Sequence, residues 1–185
     1  MPTPARTDLA AIVAAGRAIL EADGVDGLTM QAVATRVGVR APSLYKHVRD
    51  RQALLRLVVG AALDDLTVRM QATADIADPR ERLVRQADAV RGFAHEQPAG
   101  FTLIFAAHGA PRPDDSATRR STQPLLGTVA EIVGEDHALD GARLVTAWVT
   151  GFLSMELGGA FRLGGDVDAA WTWGLTRIVA ALDAD

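Results

Sequence analysis

The sequence predicts an all-α protein of about nine helices, with a three-helix unit holding a helix-turn-helix followed by a larger helical bundle. Three observations lead there. Apolar residues recur three and four positions apart along nearly the whole chain, and no run alternates with the two-residue period of a half-buried strand. Hydrophobic residues make up 49% of the 185 positions, enough for a sizeable core and too many for wholesale disorder. Gly, Pro and Asp-Gly punctuation then cuts the chain into segments of helical length.

The first helix is expected to start after Thr7 as N-cap, with Leu9, Ile12, Val13, Ile19 and Leu20 on one side, and to stop at Asp23-Gly24. Thr29 caps a short helix over Met30–Val37, which Gly38 ends. Ala41-Pro42 opens a third helix, since a proline in the first turn lacks only an N–H that would have had no partner. Asp50 caps a long fourth helix with Leu54, Val58, Ala62, Leu66 and Met70 at i+4 spacing. Asp78-Pro79 starts a helix with Leu83, Ala87, Val90 and Ala94 inward, ending near Gln97-Pro98. A short apolar helix over residues 99–108 precedes a loop at 109–116, which carries two Pro, a Gly and two Asp. A helix over about 116–133 breaks at Gly134; residues 140–160 are apolar on nearly every side, the mark of a buried helix. Asp166 caps a last helix with Val167, Trp171, Leu175, Ile178 and Leu182 on one stripe. The division expected is residues 1–50 for the helix-turn-helix domain, its motif over about 29–48, and residues 51–185 for the bundle.

Charge separates the two parts. The chain is acidic, net −4, yet residues 1–56 hold eight cations against five anions. From Arg36 to Arg56 six cations face the single anion Asp50. A basic head on an acidic body suits a polyanion that meets the head alone, although a charge run is as often a merely solvated face.

The frame around that charge is more specific. Ala34 and Gly38 stand four apart between the second and third helices, a small residue for close approach and a glycine for a positive φ, as a helix-turn-helix needs. Val33, Val37, Val39 and Leu44 supply the apolar lock. The second helix of such a unit enters the major groove and presents its N-terminal residues to base edges, here Arg40, Ala41 and Ser43, with Lys46 and His47 further on. Thr29, Tyr45, His47, Arg49 and Arg51 offer hydroxyls and cations to phosphates. Tyr45 has a second reading, packing between helices.

The stretch "LTMQAVATRVGVRAPSLYKHVRDRQALL" resembles the DNA-binding domain of TetR-family transcriptional regulators, over about residues 6–56. It shares the Leu-Thr opening of the second helix, the Ala-x-x-x-Gly-Val turn, and Ser-Leu-Tyr-x-His-Val followed by a basic residue and "ALL". The resemblance implies DNA-contacting positions at Thr29, Arg40, Ser43, Tyr45, His47 and Arg51. "FAHEQPAGFTLIF" and "AWVTGFLSMELGG" resemble a C-terminal domain of the family with a Trp-His-Gly signature, with Thr150 standing where the His is expected. The resemblance also implies a homodimer whose last two helices form a four-helix bundle, with Leu144, Gly151, Gly158, Trp171, Leu175 and Ile178 at the interface. A small-molecule effector in the bundle would act through the fourth helix. Its pocket is expected at Phe101, Phe105, His108, Trp148, Phe152, Met155 and Glu156, mostly apolar, which suits an apolar or amphipathic effector.

Other classes find little support. There is no cysteine, so no disulfide, thiol nucleophile or Cys-ligated zinc. The four histidines (47, 95, 108, 137) are scattered, without HExxH, GxSxG or a Gly-rich phosphate loop, and no enzyme, metal or cofactor is expected. The densest apolar run, residues 144–155, is short of the roughly 20 residues a membrane helix requires. The expectation is a cytoplasmic, nucleoid-associated bacterial repressor that binds a near-palindromic double-stranded operator. The alternative is a helical ligand-binding or protein-interaction module that does not read DNA.

Overall fold

The computed structural model of the chain describes residues 8–105 and 115–182, and among them lie nine helices and no strand. In chain order they are α1 (Leu9–Gly27), α2 (Met30–Val37), α3 (Ala41–Leu44), α4 (Arg51–Gln71), α5 (Pro79–Glu96), α6 (Pro98–Phe105), α7 (Asp115–Val133), α8 (Ala138–Leu157) and α9 (Val167–Ala181). They divide into two compact units. The first takes the chain up to residue 63 together with α6; the second takes residues 64–96 and the chain from α7 onward. The helix α4 contributes residues to both.

Local signals account for most helix ends. The side chain of Asp8, not the expected Thr7, accepts the Ala11 N–H at 2.8 Å and starts α1; Thr7 lies outside the described residues. Instead of stopping at Gly24, α1 breaks its dihedrals there (φ 69°, ψ −173°) and resumes for one turn to Gly27. Thr29 Oγ1 accepts from the Ala32 N–H, and Gly38 ends α2 in the left-handed conformation at φ 77°. Asp50 Oδ1 accepts the Ala53 N–H at 2.7 Å and opens α4. Asp166 Oδ1 accepts from Asp168 and Ala169 at the head of α9.

The core of the first unit joins Ile12, Ile19 and Leu20 of α1, Val33 and Ala34 of α2, Leu44 of α3, Leu54 and Val58 of α4 and Leu103 of α6. Gly16 lets α1 and α4 close up: a Cβ there would stand 2.7 Å from Val58 Cγ2. In the second unit α5 packs against α7, α8 and α9, burying Leu83, Ala87, Val90, Phe93 and Ala94. Pro124 lies inside α7, and its carbonyl accepts from both Gln86 Nε2 and Thr128 Oγ1, while the buried Gln86 Oε1 has no partner among the described residues.

One expectation about burial is corrected. α8 is not covered on all sides within the subunit: Leu139, Leu144 and Met155 are exposed, and so is Gly151. Its other side, Ala138, Ala142, Val145, Val149 and Leu153, is buried. The helix is apolar all round, yet only one of its sides lies in this subunit's core.

Candidate nucleic-acid interface

The turn between α2 and α3 is built as the sequence implies. Val39 N–H donates to the Ala34 carbonyl at 3.0 Å and Gly38 N–H to that of Thr35 at 3.2 Å, folding the chain back over a buried Ala34. Pro42 sits in the first turn of α3. That helix is regular only over four residues, but hydrogen-bonded turns carry it on: the N–H groups of His47 and Val48 both donate to the Leu44 carbonyl at 2.8 Å. Leu44 and Val48 are buried, and the three residues between them, Tyr45, Lys46 and His47, are exposed. Two inward anchors four positions apart thus push the intervening side chains outward.

The remaining expected contacts divide by environment. Thr29 and Arg40 are exposed, and Ala41 and Ser43 half-buried. Of Tyr45's two expected roles the structure favours solvent, with 54% of its surface free. The Arg49 side chain is 81% exposed and pairs with Asp50 at 2.7 Å. The Asp50 carboxyl is held below its ordinary value, first by the Ala53 N–H bond and next by Arg49. Arg51 differs from all of these. Its Nε donates to the Leu28 carbonyl at 2.7 Å and its Nη2 to that of Val25 at 2.5 Å, so its guanidinium is engaged inside the protein.

Two further cations, Arg36 and Arg56, are exposed near the motif; the charge count included them, but their positions carried no motif signal. A second pair had no sequence signal at all. Glu21 of α1 accepts the N–H groups of Ala99 and Gly100 at 3.0 and 2.8 Å, capping α6 from a position 78 residues away, and Arg17 donates to Gln97.

The described residues of the expected pocket belong to both units. Phe101 and Phe105 stack on each other at 4.9 Å in the first unit. In the second, Trp148, Phe152 and Trp171 make a packed triangle with centroids 5.2–5.4 Å apart, and Phe161 adds to Phe152 at 4.9 Å. Met155 is exposed, and Glu156 is bound by both Nε and Nη2 of Arg91. His108 lies outside the described residues. Of the expected interface residues, Leu144, Gly151 and Gly158 are exposed and Ile178 is half-buried. Trp171 and Leu175 are corrections: at 2% exposure each, they have no surface left for a partner. Trp171 also donates through Nε1 to Asp88 at 2.9 Å. Trp173, two positions on, is the exposed tryptophan, with Arg177 over its ring. Thr150, at the expected His position, donates to the Thr146 carbonyl one turn back.

Among the described residues no helix is long and apolar enough to cross a membrane, and no three metal-ligating side chains converge.

Residues 12–58 match the family model described as bacterial regulatory proteins, tetR family, and residues 83–178 match the tetracyclin repressor-like C-terminal domain. The uncharacterized HTH-type transcriptional regulator Rv0681 of Mycobacterium tuberculosis is 27% identical over 97% of this chain and 84% of its own length. A solved protein of unknown function from Rhodococcus sp. RHA1 superposes with a TM-score of 0.83 at 25% identity, covering 99% of this chain and all of the other. A single-residue variant of TetR from Acinetobacter baumannii AYE, solved in complex with minocycline, has a TM-score of 0.72 at 25% identity, covering 96% and 97% of the two chains.

Proposed function

This chain belongs to the TetR family of ligand-responsive, DNA-binding transcriptional regulators, and on that premise we propose that it is a homodimeric repressor of a near-palindromic operator, working in the cytoplasm at the bacterial chromosome. The observation that carries the proposal is the outward display of Tyr45, Lys46 and His47 between buried Leu44 and Val48, in a basic segment of an acidic chain. Arg40, Ala41 and Ser43 take the base edges, and Thr29, Tyr45, Lys46, His47 and Arg49 the phosphates and nearby groups. No catalytic role is proposed.

Dimerisation is proposed through the uncovered sides of α8 and α9. Leu144, Gly151 and Met155 share one side of α8, and Trp173 projects from α9. A two-fold pair sets the recognition helices about 34–36 Å apart, one helical turn of DNA. The proposed effector is apolar or amphipathic, and its signal runs through α4.

The test is selection of an operator from genomic fragments, then binding as a function of salt. The expected result is an inverted repeat bound with an affinity that falls steeply with salt. Recovery of no DNA, with the protein folded, would refute the regulatory function in favour of a module that does not read DNA. Sedimentation at micromolar concentration is expected to give a dimer, and a monomer refutes the half-site geometry.

A further inference from the structure

We infer that Arg51, which the family resemblance sets against DNA phosphate, is a positioning residue that staples the base of the helix-turn-helix and so sets the aim of the recognition helix. The inference rests on the proposed DNA-binding function. Arg51 is the first residue of α4, and Leu28 is the last of the corner between α1 and α2. The bond from Arg51 Nε to the Leu28 carbonyl joins positions 23 apart, and everything between them is the motif: the α2 cap, α2, the turn, α3 and the α4 cap. One side chain therefore closes a ring around the whole recognition element.

The chemistry of that end suits arginine alone. The Val25 carbonyl already accepts the Leu28 N–H at 3.2 Å, and the Leu28 carbonyl belongs to a residue with no exposed surface. Both carbonyls lie at the end of α1, beyond its break at Gly24. Adjacent N–H groups on one rigid edge of the guanidinium meet two acceptors at once, which the single nitrogen of lysine matches poorly. Swinging out to a phosphate would leave the Leu28 carbonyl without this donor. Arg49, two positions earlier, has its side chain in solvent and is the better phosphate contact.

The two roles give different patterns. Measure binding of the full-length protein to its selected operator and to operators with one base pair added or removed between half-sites, across a salt series, for Arg51→Lys, Arg51→Gln and Arg49→Gln. Both Arg51 variants are expected to bind the natural spacing about tenfold more weakly yet lose less on the altered spacings, so that spacing discrimination falls while the salt slope stays at the wild-type value. Arg49→Gln is expected to make the slope shallower by roughly 0.9 for each phosphate it no longer neutralises and to keep the discrimination. A shallower slope in Arg51→Gln, with full affinity in Arg51→Lys, assigns Arg51 to phosphate and overturns the inference. Equal loss at every spacing reduces Arg51 to support of the fold and overturns it too, as does no change in either variant. Failure of the wild-type protein to select any DNA removes the regulatory function and the inference with it, and is thereby told apart from failure of the staple alone.

Discussion

Gly38→Ala isolates the conformational requirement of the turn from any packing effect. Gly38 has φ 77°, and a Cβ built on it meets nothing within 4 Å, so the methyl group costs only the left-handed backbone. That conformation costs an ordinary L-residue roughly 1–2 kcal/mol. The lower entropy of alanine in the unfolded chain returns part of it, about 0.4–1 kcal/mol, leaving a net loss of about 1 kcal/mol. Gly60 supplies the control in the same unit. It too has no neighbour within 4 Å of a built Cβ, but it lies inside α4 with ordinary φ, so Gly60→Ala is expected to stabilise by roughly 0.5–1 kcal/mol. Urea unfolding at fixed subunit concentration should therefore move the two midpoints in opposite directions with unchanged m-values. In thermal melts the two variants should stand about 4–8 °C apart. Gly38→Asn should lose less than Gly38→Ala, because asparagine tolerates the left-handed region. Shifts of the same sign for Gly38→Ala and Gly60→Ala would refute the assignment of the turn to backbone conformation.

Three further perturbations address the second unit. Trp171→Phe keeps most of the aromatic packing and removes only the Nε1 bond to the solvent-exposed Asp88, so a loss of about 1 kcal/mol is expected, against about 3–5 kcal/mol for Trp171→Ala; equal losses in urea unfolding would mean that the Asp88 bond decides the site. Gly174→Ala would drive a Cβ into the Trp148 ring, and a loss of about 1–3 kcal/mol is expected, visible also as a change in tryptophan fluorescence; wild-type stability would show that the ring yields freely. Burial pushes the Glu156 carboxyl up, but the Arg91 hydrogen bonds and charge, with His95 beside them, outweigh it and hold it below the usual glutamate value. Its stabilising contribution is therefore complete above about pH 5 and is lost as the pH falls through the ordinary value toward the depressed one. Glu156→Gln should flatten the acid limb of the stability–pH curve, and an unchanged limb would show that the pair contributes nothing.

Local chemistry by itself determined the order of the helices and most of their ends. Thr29, Gly38, Pro42, Asp50 and Asp166 act on backbone groups within three or four positions, through a capping oxygen, a permitted positive φ or a missing N–H. The same short range made the helix-turn-helix and its outward residues 45–47 legible. Tertiary structure decided where long side chains go. Arg51 has the composition of a phosphate contact, and only the return of Val25 and Leu28 to its side shows its donors engaged. Glu21 finds the head of α6 78 positions away, and Trp171 is buried against Asp88 83 positions away while Trp173 remains in solvent. Periodicity assigns a residue to an apolar side without saying whether that side meets its own core or another subunit. That is why α8 looked buried all round and is covered on only one side. Long-range packing, which brings distant carbonyls and rings to one point, has no counterpart in the spacing of residues along the chain.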